Sequence, residues 1–143
     1  MGSYIEEALW RFEKACSAFD EAEGGTNHPS ADKHRLIMYG IAAITLHAAR
    51  CEIASKLSAT IITDEDQFAV LAYMLRCAPA HDISEPVWEI RNKAYRRPLQ
   101  VGDDVVDLSN LNGLAFDFAH IGGTQAFLRI ARSAVHNGWV ASK

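Results

Sequence analysis

The stretch Thr63-Asp64-Glu65-Asp66-Gln67-Phe68-Ala69-Val70-Leu71-Ala72-Tyr73-Met74-Leu75-Arg76-Cys77-Ala78-Pro79-Ala80-His81-Asp82 carries a start signal, an apolar stripe and a break for one helix. The Thr63 hydroxyl can accept from a backbone N–H of the first turn, and the three acids after it suit the positive end of a helix dipole. Phe68, Leu71, Ala72 and Leu75 recur at spacings of three and four, which predicts one buried face. Pro79 lacks an N–H, so regular helix is expected to weaken or bend there.

Helical patterning dominates the chain before this stretch. Ile5, Leu9, Phe12, Cys16 and Phe19 mark a first amphipathic helix from about Tyr4 to Glu23, with Ser3 as its N-cap and Gly24-Gly25 as its stop. Breakers from Thr26 to Pro29 predict a turn. A second helix is expected from Ser30 or Ala31 to about Leu57, a length of ~40 Å at ~1.5 Å per residue. Its expected buried face is Ile37, Ile41, Ile44, Ala48, Cys51, Ala54 and Leu57, with Leu46 and Ile53 beside it. Gly40 and the alanines around it allow close approach by another helix.

After Pro86 the pattern changes. Val87-Trp88-Glu89-Ile90 alternates weakly. Leu99-Gln100-Val101 and Val105-Val106-Asp107-Leu108 flank Gly102-Asp103-Asp104, which reads as a β-hairpin with a short turn. Residues 110–123 read as irregular or a short helix. Thr124 is the expected cap of a last helix through about Asn137, and Gly138 its stop.

Composition narrows the function classes. At 143 residues, 49% hydrophobic and 22% charged, the chain is one globular domain and too apolar for a disordered one. Fourteen basic against eighteen acidic residues give a net charge of −4, so phosphate binding would need a local basic patch. The longest apolar run, Ile37 to Ala49, is interrupted by Tyr39, Gly40, Thr45 and His47 and is shorter than the ~20 residues of a membrane span. No basic region followed by an apolar stretch lies near Met1, so no secretory signal is expected. Cys16, Cys51 and Cys77 form no CxxC, and no His spacing suggests a metal site. A reduced, cytoplasmic protein with no membrane partner is the expectation.

The chemistry-bearing pair is Arg76 and His81, with four residues between them. There the chain resembles the HEPN family (higher eukaryotes and prokaryotes nucleotide-binding domains), small helical domains with an Arg, four to six residues and a His near the end of a late helix. The resemblance covers about Tyr4 to Ser84. It implies a mainly α, HEPN-like bundle of four to five helices with a small β-hairpin insertion before the last helix. The whole chain is then one domain, with a helical core at about 3–84 and 110–138 and the insertion at about 86–109. The resemblance further implies a metal-independent endoribonuclease that needs no cofactor and acts on RNA as a homodimer. In that reading His81 is general base or acid, Arg76 is the phosphate ligand, and the two motifs meet across the dimer interface. A toxin or defence role, with a cognate antitoxin as partner, follows from the same resemblance.

The residues themselves are compatible with this chemistry. RNA brings its own nucleophile, the 2′-OH, so the protein need only move protons and stabilise charge. Imidazole titrates near neutral pH, and a guanidinium can give a phosphate two parallel hydrogen bonds. Positions five apart on a regular helix diverge by ~140°, at ~100° per residue. Either Pro79 turns His81 back or a symmetric dimer supplies one residue from each chain. The family commonly has a polar residue where Cys77 stands, and Pro79 is unusual inside the motif. The alternative is therefore a non-catalytic module that binds RNA, a nucleotide or a protein partner. An Arg and a His near a helix end also serve the helix alone, by donating to its last carbonyls.

One segment is locally basic. Arg91, Lys93, Arg96 and Arg97 fall within seven residues, with Trp88 and Tyr95 interleaved. Cations and aromatics together suit a single strand, whose phosphates meet charge and whose bases stack. The competing reading is a solvated hairpin face paired with Asp103, Asp104 and Asp107.

Overall fold

A computed structural model describes residues 4–23, 29–54 and 56–141. Four α-helices and one hairpin are present among them: α1 (Tyr4–Glu23), α2 (Pro29–Cys51), α3 (Asp64–His81), β1 (Pro98–Val101), β2 (Asp104–Asp107) and α4 (Thr124–His136). Short 3-10 turns occupy Lys93–Tyr95 and Phe118–Ile121. The mainly helical architecture and the hairpin before the last helix agree with the sequence reading. The expected Ser3 cap, the Gly24-Gly25 stop and most of the turn that follows lie outside the described residues.

α1 packs along α2, and α2 packs against α3. Most of the α1 stripe is buried as its periodicity predicts, with Ile5, Leu9, Phe12 and Cys16 in the core and Phe19 half-buried at its end. Aromatic rings then join three helices to a loop. Phe12 of α1 and Tyr39 of α2 each meet Phe127 of α4 edge-on, at 5.5 and 5.1 Å between centroids. Phe116 stacks on Tyr39 at 4.5 Å. Such pairs contribute about 0.5–1.5 kcal/mol each beyond the area they bury.

α3 begins as expected. The Thr63 hydroxyl accepts from the Asp66 amide at 3.0 Å, and the Asp66 carboxylate accepts from the Thr63 amide at 3.1 Å. This reciprocal box satisfies two donors that the helix start leaves free. The helix loses a bond at Pro79 as expected, yet α3 continues through it to His81. In a regular helix the amide of residue 79 would donate to the carbonyl of residue 75. Proline has no such amide, and the buried Tyr39 hydroxyl donates to the Leu75 oxygen instead, at 3.3 Å. Burial pushes the Tyr39 phenol well above its ordinary range, so it remains a donor. Beside it, Gly40 admits the end of α3. A Cβ at position 40 would lie 2.6 Å from Ile83 Cγ1 and 3.1 Å from Pro79 Cβ.

The second helix needs two corrections. It ends at Cys51, short of the expected Leu57. The amides of Ile53 and Ala54 turn back to the Arg50 carbonyl, and the buried Arg50 guanidinium donates to the Lys56 carbonyl at 2.7 Å. That cation closes the helix end, a role no Gly or Pro announced. The buried face also differs. Tyr39, Ala42, Ala43, Leu46 and Ala49 face the core, whereas Ile41 and Ile44 are 40% and 38% exposed. The small alanines let α1 and α3 approach closely, and the isoleucines stand outside that contact.

The hairpin has the expected turn. Val101 pairs with Asp104, leaving Gly102 and Asp103 as a two-residue loop, and Gly102 supplies the left-handed φ of 61°. Leu99, Val101 and Val106 are buried, as are Trp88, Ile90 and Leu108. The segment read as an insertion thus supplies a large share of the single core. α4 starts one residue away from its expected cap: Thr124 is already helical, and Gly123 precedes it without a side-chain cap. Its end follows the sequence reading. Gly138 is left-handed at φ 73°, and the Trp139 amide donates to the Ala134 carbonyl at 3.0 Å.

Tyr39→Phe should lower stability by about 1–3 kcal/mol, the usual penalty for leaving a buried carbonyl unpaired. In a Pro79→Ala background the restored amide should reduce that loss. Denaturant midpoints of the four proteins check this, and an equal loss in both backgrounds would refute it.

Candidate functional site

The C-terminal end of α3 forms one wall of an open cavity of about 640 Å³. Arg76 and His81 both line it, together with Arg91, Asn92 and Tyr95 from the segment that follows. One chain therefore brings the two motif residues to the same cavity, even though α3 is unbroken between them. The ~140° between their directions on a regular helix does not keep both side chains from lining it.

The chain after α3 is shaped by specific bonds. Asp82 Oδ1 accepts from the amides of Ser84 and Glu85 at 3.0 and 3.1 Å, and from the Ser84 hydroxyl at 2.9 Å. These bonds hold the Asp82 carboxyl below its ordinary range, the Ser84 hydroxyl contributing most. The chain then runs extended, with one antiparallel bridge from Val87 to Ala115. Trp88 is buried and donates its indole N–H to His120 Nδ1 at 2.9 Å. Ile90 is buried too. Its amide donates to Asn112 Oδ1 at 2.8 Å, and its carbonyl accepts from the Arg96 guanidinium at 2.8 and 3.0 Å. Successive side chains of an extended segment point to opposite faces. With Trp88 and Ile90 anchored inward, Glu89 faces the cavity.

Glu89 meets His81 there. Its Oε2 pairs with His81 Nε2, and its Oε1 accepts from the Arg91 guanidinium at 2.5 Å. The His81 side chain remains 69% exposed. Arg76 is half-buried and makes no hydrogen bond or ion pair among the described residues. Lys56 adds a third lining cation beside Arg76 and Arg91, and Glu89 is the lone lining carboxylate. The cavity is thus locally cationic on a chain of net charge −4, the local patch that phosphate binding requires.

The basic run divides. Arg91 lines the cavity, whereas Arg96 is committed to the Ile90 carbonyl, so it is a backbone clamp before it can be an RNA ligand. Lys93 and Arg97 are exposed and lie outside the cavity lining. Trp88 is too deeply buried to stack on a base, while Tyr95 is accessible from the cavity. The hairpin acids do not neutralise this run: Asp104 pairs with Arg129 at 2.7 Å, and Asp107 accepts from Ser109. His120 Nδ1 accepts from both Trp88 and the Asp117 amide, which makes it a structural residue. No group of three or more His, Cys, Asp or Glu side chains converges as a metal site among the described residues.

Sequence reasoning missed Glu89, Lys56 and Tyr73. The alternation at Val87 to Ile90 is the signal for Glu89, since it opposes Trp88 and Ile90. Tyr73 lies three residues before Arg76, on the same side of α3. Nothing local marks Lys56. The protein was compared with protein-family models, curated proteins and solved structures, and none of them matches.

His47 of α2 lies behind this wall. Its ring is 5.3 Å from that of Tyr73, and its buried Nδ1 has no hydrogen-bond partner among the described residues. Burial pushes its pKa below the ordinary 6.5, and the nearby Arg76 and Arg50 guanidiniums push the same way. The unfolded chain then binds more protons than the folded one as pH falls through 6.5. Stability should therefore drop on acidification from pH ~7 toward ~5.5, before the ordinary carboxylate range near ~4 is reached. His47→Phe should flatten that slope in denaturant melts. An unchanged slope would refute this role for His47.

Proposed function

We propose that this protein is a metal-independent endoribonuclease of the HEPN-like kind, with its active site in the cavity at the end of α3. The observation that carries the reading is that Arg76 and His81 line one open cavity together with Arg91, Arg76 having no hydrogen bond or ion pair among the described residues. Arg76 is suited to hold the scissile phosphate and to offset the negative charge that grows on its oxygens. His81 is suited to accept the 2′-OH proton. The attacking oxygen belongs to the RNA, so the products are a 2′,3′-cyclic phosphate and a free 5′-hydroxyl. Lys56, Arg91 and Tyr95 fit the flanking single strand, with charge for phosphates and an aromatic face for a base.

Purified protein should cleave single-stranded RNA in excess EDTA and leave cyclic phosphate ends. His81→Ala should lower the rate by about 10²-fold or more, the usual scale for a lost general base. Arg76→Ala should do comparable damage. Intact RNA at high protein concentration would refute catalysis. RNA binding without turnover, measured by fluorescence anisotropy, would favour the non-catalytic module.

The homodimer belongs to the same proposal, with a different contact face. The exposed Ile41, Ile44 and Ala48, continued by the half-buried Ile37, form a stripe on α2, and none of its residues lines the cavity. In an antiparallel pairing about a two-fold axis, Ile41 of one copy would oppose Ile44 of the other, and Ile37 would oppose Ala48. The stripe is thus complementary to itself. Sedimentation should give a dimer, and the double variant Ile41→Glu with Ile44→Glu should give a monomer. A monomeric parent protein would refute this part.

A further inference from the structure

We infer that Glu89 is the positioning residue of His81, and that it makes Nδ1 the nitrogen that exchanges a proton with the substrate. The inference rests on the nuclease reading and adds the tautomer and a second functional residue to it. A carboxylate can only accept, so the contact between Glu89 Oε2 and His81 Nε2 requires the proton to reside on Nε2. That holds for neutral and for charged imidazole alike. Nδ1 is then the position that gains and loses a proton, and it has no hydrogen-bond partner among the described residues.

Two features keep Glu89 in place. Trp88 and Ile90 on either side of it are buried and hydrogen-bonded, which fixes the backbone that presents it. Its second oxygen is occupied by Arg91. Without such a partner, a His side chain 69% exposed at a helix end would be free to turn and to protonate at either nitrogen.

Nδ1 takes the proton of the RNA 2′-OH as that oxygen forms a bond to phosphorus. The bond from phosphorus to the 5′-oxygen breaks, and the departing oxygen takes a proton from water. The imidazolium afterwards returns its extra proton to solvent.

The test joins NMR to kinetics. In ¹⁵N-labelled protein, long-range ¹H–¹⁵N correlations of the His81 ring, assigned by their loss in His81→Gln, should show protonated Nε2. Glu89→Ala should give a mixture of tautomers. It should also lower kcat roughly ten- to a hundredfold, the scale of a misplaced catalytic group, with KM nearly unchanged. Glu89→Asp should restore the tautomer, because it keeps two acceptor oxygens for His81 and Arg91. That variant also separates positioning from folding. A protonated Nδ1 in the parent protein, or unchanged tautomer and kcat in Glu89→Ala, would overturn the inference while leaving the nuclease reading intact. RNA left uncut by a protein with protonated Nε2 would overturn the nuclease reading, and with it the reactive role of Nδ1.

Discussion

The Leu75 carbonyl has no helical donor because residue 79 is proline, and the Tyr39 hydroxyl fills that place at 3.3 Å. Much depends on this bond. It lets α3 run through Pro79 to His81, so that Arg76 and His81 stand on one continuous helix. It also fixes where α2 crosses α3, since Gly40 beside it receives Ile83 and Pro79. The same tyrosine ring stacks on Phe116 and meets Phe127. One side chain therefore links the helix that carries the motif to the aromatic core.

The opposite wall of the cavity is held by a different device. The segment after α3 has almost no repetitive structure, yet its backbone is secured at short intervals. Asp82 ties the turn, Trp88 bonds His120, and Asn112 and Arg96 hold Ile90. Between these anchors the alternation of an extended chain turns Glu89 outward to His81. Polar groups on loops can be placed this firmly when their neighbours are buried and satisfied. Arg96 illustrates the cost in available charge, because a cation spent on a backbone carbonyl is no longer free for a phosphate.

Where reading the sequence succeeded, the signal was local. The Thr63 cap, the α1 stripe, the Gly102 turn and the Gly138 stop each depend on a few adjacent residues and their backbone preferences. Where it failed, the deciding partner was distant in sequence. What supports α3 past Pro79 was hidden, because the substitute donor lies 36 residues earlier. α2 ran too long on paper because its end is closed by the Arg50 side chain. Its isoleucines looked buried because periodicity identifies an apolar stripe without saying which neighbour covers it. Alanines and Tyr39 won the core because close helix packing favours small residues and a well-matched ring.

The sequence by itself determined that this chain is mainly helical with a late hairpin, and it marked Arg76 and His81 as the pair that carries chemistry. The helices and the hairpin need only periodicity, caps and turns, which act over a few residues, whereas the pair rests on the family resemblance. The tertiary structure alone decided that the two side chains share a cavity within one chain. It also decided that Glu89 faces His81 and that Arg96 is committed to the backbone. Each of these is a meeting of segments that are separate in sequence, and packing and hydrogen-bond satisfaction across the whole core select which groups meet.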